Sequence, residues 1–340
     1  MRARRSTAAL LAAVALVAGV AGCAADPGDQ SADGTDCGPV TVEDIPADVT
    51  PLPDPPAPKL PVTVDSADGT RVTVSDASRI LPVNLYGSIA EIVFALGLGE
   101  RVVGRDTATT FPAAAHLPLV TPAGHDLSAE GVLALDPTVI LVDATVGPAE
   151  ALEQLRRSGI PVVFIDDTQT LEAVPEHIRQ VAAALGVPEA GEELVARVTD
   201  EIESARREAP AGTEAPRVAF LYLRGGAGVY LMAGDGSGAD AMIEAIGAED
   251  AGTAIGLSAF RPLTSEGLIN AAPDVILVMT EGLASVGGVD GLLGMPGVAQ
   301  TPAGQRRRIV AMDDGALLSF GPRSGQAVTA LAEAVYRSCA

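Results

Sequence analysis

Residues 124–142 read Gly124-His125-Asp126-Leu127-Ser128-Ala129-Glu130-Gly131-Val132-Leu133-Ala134-Leu135-Asp136-Pro137-Thr138-Val139-Ile140-Leu141-Val142, and most of this stretch recurs 136 residues downstream. Aligned without a gap, residues 127–142 and 263–278 agree at eight of sixteen positions, among them Glu130/Glu266, Gly131/Gly267, Pro137/Pro273 and the closing Val-Ile-Leu-Val. A repeat of this kind fixes how many units the chain is built from. In each copy Ser128 or Thr264 is placed to cap a helix, and a glutamate in the first turn suits the positive helix end. An X-Pro step stops the helix, and an apolar, mostly β-branched run follows as a buried strand. A period of 136 residues is too long for a solenoid unit. Two α/β lobes built alike, with a cleft between them, are the reading that follows.

The flanking sequence extends the pattern. Alternation in Val62-Thr63-Val64-Asp65 and Arg71-Val72-Thr73-Val74 around Ser66-Ala67-Asp68-Gly69 predicts a hairpin. A strand over 79–85, a helix over 89–96 ended by Gly97 and a short strand over 101–104 make a βαβ beginning, so the sheet should be largely parallel. Helices are predicted at 148–158 and 171–185, with a strand at 160–165 between them. Residues 189–208 carry Leu194, Val198, Ile202 and Ala205 along one face, free of Gly and Pro after Gly191. About 20 residues give a helix on the order of 30 Å long, stiff enough to join two lobes. Strands at 218–223, 228–232 and 308–312 and helices at 239–247 and 325–337 complete the second lobe. The fold class is α/β: two Rossmann-like lobes with mainly parallel sheets, bridged by a single long helix.

Arg2, Arg4 and Arg5 precede an apolar run over 8–18 and then Val20-Ala21-Gly22-Cys23, which resembles the lipobox of bacterial lipoproteins. The run is short for a membrane span of about 20 residues. The expected boundaries are a signal peptide at 1–22, lipidated Cys23 and a flexible, Pro-rich tether over 23–60, an N-terminal lobe at 61–186, the linking helix at 187–209 and a C-terminal lobe at 210–340. The protein should then sit on the extracytoplasmic face of the cell membrane, held by lipid alone. Without the three signal arginines, 19 basic residues face 44 acidic ones, a net charge near −25. Nucleic acid and anionic bilayers are poor partners for such a chain. With Cys23 lipidated, Cys37 and Cys339 remain for a disulfide in an oxidising compartment, two free thiols being the alternative.

The chemistry points to one strand end and one loop. Tyr222 and Arg224 are two apart on a predicted strand and so leave it on the same side. They stand where that strand runs out into Gly225-Gly226, and the carboxyl edge of a parallel sheet is where such folds place ligands. A neighbouring cation favours phenolate, a hard ligand suited to Fe(III); an ordinary strand tyrosine with an arginine at its rim fits the same residues. His125 lies outside a helix start in the loop facing the cleft, and its counterpart in the second copy is Arg261. Of the other two histidines, His116 and His177, the second falls inside a helix and is read as exposed. No His-x-x-x-His or Cys-x-x-Cys spacing, no Walker loop and no Gly-x-Ser-x-Gly elbow appears, which argues against a zinc protein or a surface metalloenzyme.

Asn84-Leu85-Tyr86-Gly87-Ser88-Ile89-Ala90-Glu91-Ile92-Val93-Phe94-Ala95-Leu96-Gly97, His125-Asp126-Leu127-Ser128-Ala129-Glu130 and Tyr222-Leu223-Arg224 resemble the haem-binding lipoproteins of bacterial haem ABC importers, over roughly residues 76–338. The resemblance implies a binding protein without catalysis, monomeric, that carries haem to a permease driven by an ATPase. It matches His125 and Tyr222 to axial ligands of the haem iron from opposite lobes, and Arg224 to an arginine that hydrogen-bonds the tyrosine. Met279 matches a pocket methionine, and Phe260 stands where a pocket aromatic could bring a hydrogen bond that phenylalanine lacks. Glu130 and Glu266 correspond to the carboxylates that dock onto permease arginines. Arg79, Arg261 and Arg323 are candidates for the haem propionates on charge alone. A ferric siderophore or a corrinoid in the same fold is the alternative cargo.

Overall fold

Both copies of the repeat fold as the capped helix and buried strand expected of them in the computed structural model, which describes residues 38–43, 45–122, 124–209 and 215–337. The expected signal peptide, Cys23, Cys37 and Cys339 lie outside the described residues. In chain order the strands are β1 (Val40–Thr41), β2 (Val62–Asp65), β3 (Arg71–Val74), β4 (Ile80–Val83), β5 (Val139–Val142), β6 (Val162–Phe164), β7 (Arg217–Arg224), β8 (Val229–Met232), β9 (Glu249–Asp250), β10 (Arg261–Pro262), β11 (Val275–Met279) and β12 (Ile309–Met312). The first lobe holds the parallel sheet β4-β5-β6 and the antiparallel hairpin β2-β3. The second is built on β1-β12-β11-β7-β8-β10, with β9 beside β7. Its first four strands are parallel, and β8 and β10 run antiparallel at one edge. Every residue of β4, β5, β11 and β12 is buried, as an unbroken apolar run between two layers of helix requires.

The linking helix Pro188–Glu208 buries Leu194, Val198, Ile202 and Ala205, the predicted stripe. Its proline sits in the first turn, where a missing N–H costs nothing, and Arg206 and Arg207 occupy the last turn beside the negative helix end. It packs on Val174–Ala184 from the first lobe and on Ser324–Val335 from the second. Both contacts depend on glycine. A Cβ on Gly191 would lie 2.6 Å from the Ala182 methyl, and one on Gly325 would lie 2.7 Å from the Glu201 carbonyl carbon. The same apolar core takes in Ile92 and Ile178, passes through Leu194 and Ile202, and reaches Phe220 and Leu331. The lobes therefore share packed side chains as well as a connection.

Three expectations need correction. Over 101–104 no full strand forms: Gly99–Arg101 is a 3-10 turn and Val102 makes a single bridge to Ile80. Gly104 crosses the sheet edge so closely that a Cβ would lie 2.7 Å from a Leu135 methyl. His177 is buried, 4% exposed, with Nε2 3.3 Å from Asp166 Oδ1. It shares the buried stripe of its helix with Val174, Ile178 and Val181. Finally, much of the stretch expected as tether lies against the domain. β1 extends the second sheet beside β12, Val49 and Leu52 are buried, and Leu52 N–H donates to Ala95 O at 2.7 Å. Past β1 the prolines keep this segment out of helix and sheet, but its apolar anchors still seek cover. Among the described residues, no helix is long and apolar enough to cross a membrane.

Candidate functional site

In the first repeat Ser128 Oγ accepts from Gly131 N–H at 3.1 Å, and in the second Thr264 Oγ1 accepts from Gly267 N–H at 3.0 Å. The shared glycine is explained by this cap: a Cβ would stand 3.2 Å from Ser128 Oγ and 2.8 Å from Thr264 Oγ1. Just before the first helix, Asp126 bridges Gly147 beyond the carboxyl end of β5. Just before the second, Leu263 N–H donates to Tyr230 O, which pairs with Leu223 near the end of β7. Each helix then carries the chain back to the amino end of the next strand. The first turns, with exposed Glu130 and Glu266, consequently stand on the carboxyl edges of the two sheets. Neither carboxylate has an ion-pair partner among the described residues.

Tyr222 is half-buried on β7, and the Arg224 guanidinium carbon lies 4.6 Å from its ring centroid. Arg224 Nη2 donates to Asp314 Oδ2 at 3.0 Å and Nη1 to Leu223 O at 2.9 Å. Asp314 Oδ1 accepts Glu281 N–H at 3.0 Å, tying the short helix after β12 to the helix after β11. Burial raises the Asp314 carboxyl, against the opposing pull of Arg224. The expected hydrogen bond from Arg224 to the phenol is replaced by stacking, because side chains two apart on a strand rise in parallel from one face. Phe260 packs edge-on against both Tyr222 and Phe220, with centroids 5.9 and 6.2 Å away. Pairing of Val278 with Leu221 puts the next residue, buried Met279, beside Tyr222.

In the first lobe His125 is exposed, its side chain at 60%, and its O accepts Gly147 N–H at 3.1 Å. The imidazole Nε2 is 3.8 Å from Asp126 Oδ1. A residue with no role assigned from sequence, Tyr86, also belongs here. It follows β4 in a turn pinned from below: Asn84 N–H donates to Asp106 Oδ2 at 3.0 Å, and Asn84 Nδ2 donates to Ser88 Oγ at 2.9 Å and Asp143 Oδ2 at 3.0 Å. The Tyr86 phenol is held above the usual tyrosine range, first by burial and then by the negative charges of Asp143 and Asp167. The signal for Tyr86 was its place just past the carboxyl end of a parallel strand.

The three arginines offered for propionates do not gather here. Arg79 stands at the amino edge of the first sheet, donating to Leu135 O and Asp136 O. Arg323 is buried and paired with Glu91. Arg261 pairs with Met232, which pairs with Leu221, so it shares the face of Leu221 and points away from Tyr222. The lobes also touch directly. A Cβ on Gly315 would lie 3.2 Å from Thr110 Oγ1, and one on Gly238 would lie 3.3 Å from Gln169 Cβ. A cavity of about 530 Å³ lined by Glu172, Arg206 and Glu244 lies at the end of the linking helix and includes none of the candidate residues.

Residues 83–316 match the model of the periplasmic binding protein family. The substrate-binding lipoprotein YvrC of Bacillus subtilis (strain 168), described as part of an ABC transporter, is 26% identical over 81% of this chain and 86% of its own. The crystal structure of the heme binding protein HmuT is 38% identical, with a TM-score of 0.85 over 90% of this chain and 99% of its own. The periplasmic heme-binding protein RhuT from Roseiflexus sp. RS-1 is 48% identical, with a TM-score of 0.73 over 77% and 98%. A vitamin B12-binding protein of Pectobacterium carotovorum (strain PC1) is 27% identical over 45% of this chain, and this chain spans about half of that relative's length, 56%. HmuT has also been solved with a histidine, a tyrosine, or the arginine two positions after that tyrosine replaced by alanine. The chain belongs to the periplasmic binding protein family.

Proposed function

We propose that this protein is the haem-binding component of an ABC importer, taking haem outside the cytoplasmic membrane and passing it to a permease without chemical change. One observation carries the reading: Tyr222 and Arg224, two apart at the carboxyl edge of β7, reproduce the tyrosine and arginine spacing of the HmuT variants. Iron would be held by Tyr222 from one lobe and His125 from the other. The Arg224 guanidinium lies over the Tyr222 ring, and Asp314 keeps it in place. Leu85 and Phe260 offer apolar surface to a flat macrocycle. Two donors on separate lobes suit a metal that arrives already chelated by four nitrogens.

Lipid attachment through Cys23, a disulfide between Cys37 and Cys339, a monomeric state, and docking of Glu130 and Glu266 on the permease belong to the same proposal. YvrC, described as a lipoprotein, supports the first of these. The test is a haem titration of the mature chain followed by its absorption band, with His125→Ala and Tyr222→Ala alongside. Both variants should shift the spectrum and weaken binding; unchanged spectra in both would remove the ligand assignment. The vitamin B12-binding relatives favour a corrinoid as second cargo. A chain that binds cobalamin and gives no haem band would establish that reading instead.

A further inference from the structure

Four large apolar side chains are exposed among the described residues: Leu85, Leu119, Leu133 and Ile269. The last two occupy the same place in the repeat, 136 positions apart. Each stands three residues after a carboxylate that has no ion-pair partner among the described residues, Leu133 after Glu130 and Ile269 after Glu266, so each pair shares one face of its short helix. Neither aliphatic side chain is needed for the core. Inward packing is done by their neighbours Val132 and Leu268, both at 0% exposure, whereas Leu133 and Ile269 stand at 38% and 47%. A polar residue would serve the helix as well and keep apolar surface out of water. The two lobes nevertheless carry the same acid-plus-aliphatic pair at the same place in the repeat helix.

We infer that Leu133 and Ile269 complete, with Glu130 and Glu266, a two-part docking surface for a membrane-protein dimer that offers one site twice, a cation beside an apolar pocket in each half. The inference rests on the permease-docking reading and adds the apolar half of each contact. A surface repeated on one chain matches a partner whose own surface is repeated by a two-fold axis. The unpaired carboxylates call for cations opposite them, which also argues against a second copy of this acidic chain as occupant, since it would bring glutamate to glutamate. An aliphatic anchor seated in a pocket supplies the contact that carries affinity, while the rim charges set register. Because both helices begin at the carboxyl edges of the sheets, a partner seated on them covers the cleft and receives what leaves it.

The experiment uses the full-length lipidated protein and the haem importer's permease–ATPase complex in nanodiscs, with complex affinity and haem titration measured on the same samples. Leu133→Ser and Ile269→Ser should each weaken the complex about tenfold while leaving the haem titration unchanged. Leu133→Ile and Ile269→Leu should restore it. Unchanged affinity in both serine variants, alongside loss of the complex in Glu130→Arg or Glu266→Arg, overturns the inference and leaves charge docking standing. Unchanged affinity in the arginine variants removes the docking reading itself. A serine variant that alters only self-association of the chain also overturns the inference, in favour of a second copy.

Discussion

Glu91 and Arg323 are 232 residues apart in sequence, yet they join the first helix of one lobe to the last helix of the other. Arg323 donates to Glu91 Oε1 through Nε at 3.1 Å and Nη2 at 2.5 Å, and both side chains are almost wholly buried, at 7% and 2%. Nη2 also reaches Gly315 O and Nη1 reaches Pro46 O, each at 3.3 Å. Burial raises the Glu91 carboxyl while the guanidinium opposes that shift, and Glu91 Oε2 has no hydrogen-bond partner among the described residues. A Cβ on Gly321 would lie 2.6 Å from that oxygen, so the pair fits only against glycine. Glu91→Ala leaves a buried guanidinium whose remaining hydrogen bonds go to the Gly315 and Pro46 carbonyls, with Asp313 and Asp48 still acting on its charge, which costs about 3–5 kcal/mol. At roughly 2–4 °C per kcal/mol for a domain of this size, the melting temperature should fall on the order of 10 °C. Replacing both partners, Glu91→Leu with Arg323→Met, should recover more than half of that loss, because no charge remains to be desolvated. Calorimetry and urea unfolding of the two single variants and the double variant decide the matter. A single-variant cost below about 1 kcal/mol, or losses that simply add in the double variant, would refute a buried interlobe lock.

Two further outcomes follow from buried geometry. The Asp106 carboxyl, 1% exposed, is pushed up to about 6 from 3.8, first by burial. A raised folded-state value means its contribution is fully present below about pH 4 and is lost as pH rises through about 6, up to about 3 kcal/mol in all. Asp106→Asn should remove that slope, and urea unfolding at pH 4 and pH 7 checks it; an unchanged difference between the two pH values would count against the assignment. Gly325→Ala sets a methyl 2.7 Å from the Glu201 carbonyl carbon and 2.9 Å from Ile202 N, both backbone atoms that cannot step aside. The cost should be about 1–3 kcal/mol, against less than about 0.5 kcal/mol for Gly226→Ala, where nothing lies within 4 Å. Equal melting temperatures for the two variants would mean the final helix is not pressed on the linking helix.

The repeat made the two-lobe architecture legible, because capping oxygen, glycine, proline and apolar strand are local requirements met at fixed spacing. The stripe of the linking helix was equally plain, since a period of 3.6 residues needs no knowledge of what lies opposite. The candidate site was legible in part. Tyr222 and Arg224 could be placed at one strand end, but whether the guanidinium bonds the phenol or lies on its face depends on Asp314, ninety positions later. The three arginines show the limit more clearly: as charges they are alike, and only the fold puts Arg79 at the wrong edge, Arg261 on the wrong face and Arg323 inside.

By itself the sequence determined the types of the longer elements, the duplication and the acids that head each repeat helix, all of which are written in spacings of a few residues. Only the tertiary structure decided that the expected tether lies partly on the domain, that His177 is buried, that Asp314 holds Arg224 over Tyr222, and that Glu91 finds Arg323. These are meetings between segments far apart in the chain. Local propensity carries no record of them, and they are settled when the lobes close on a shared core that admits one arrangement of its buried charges.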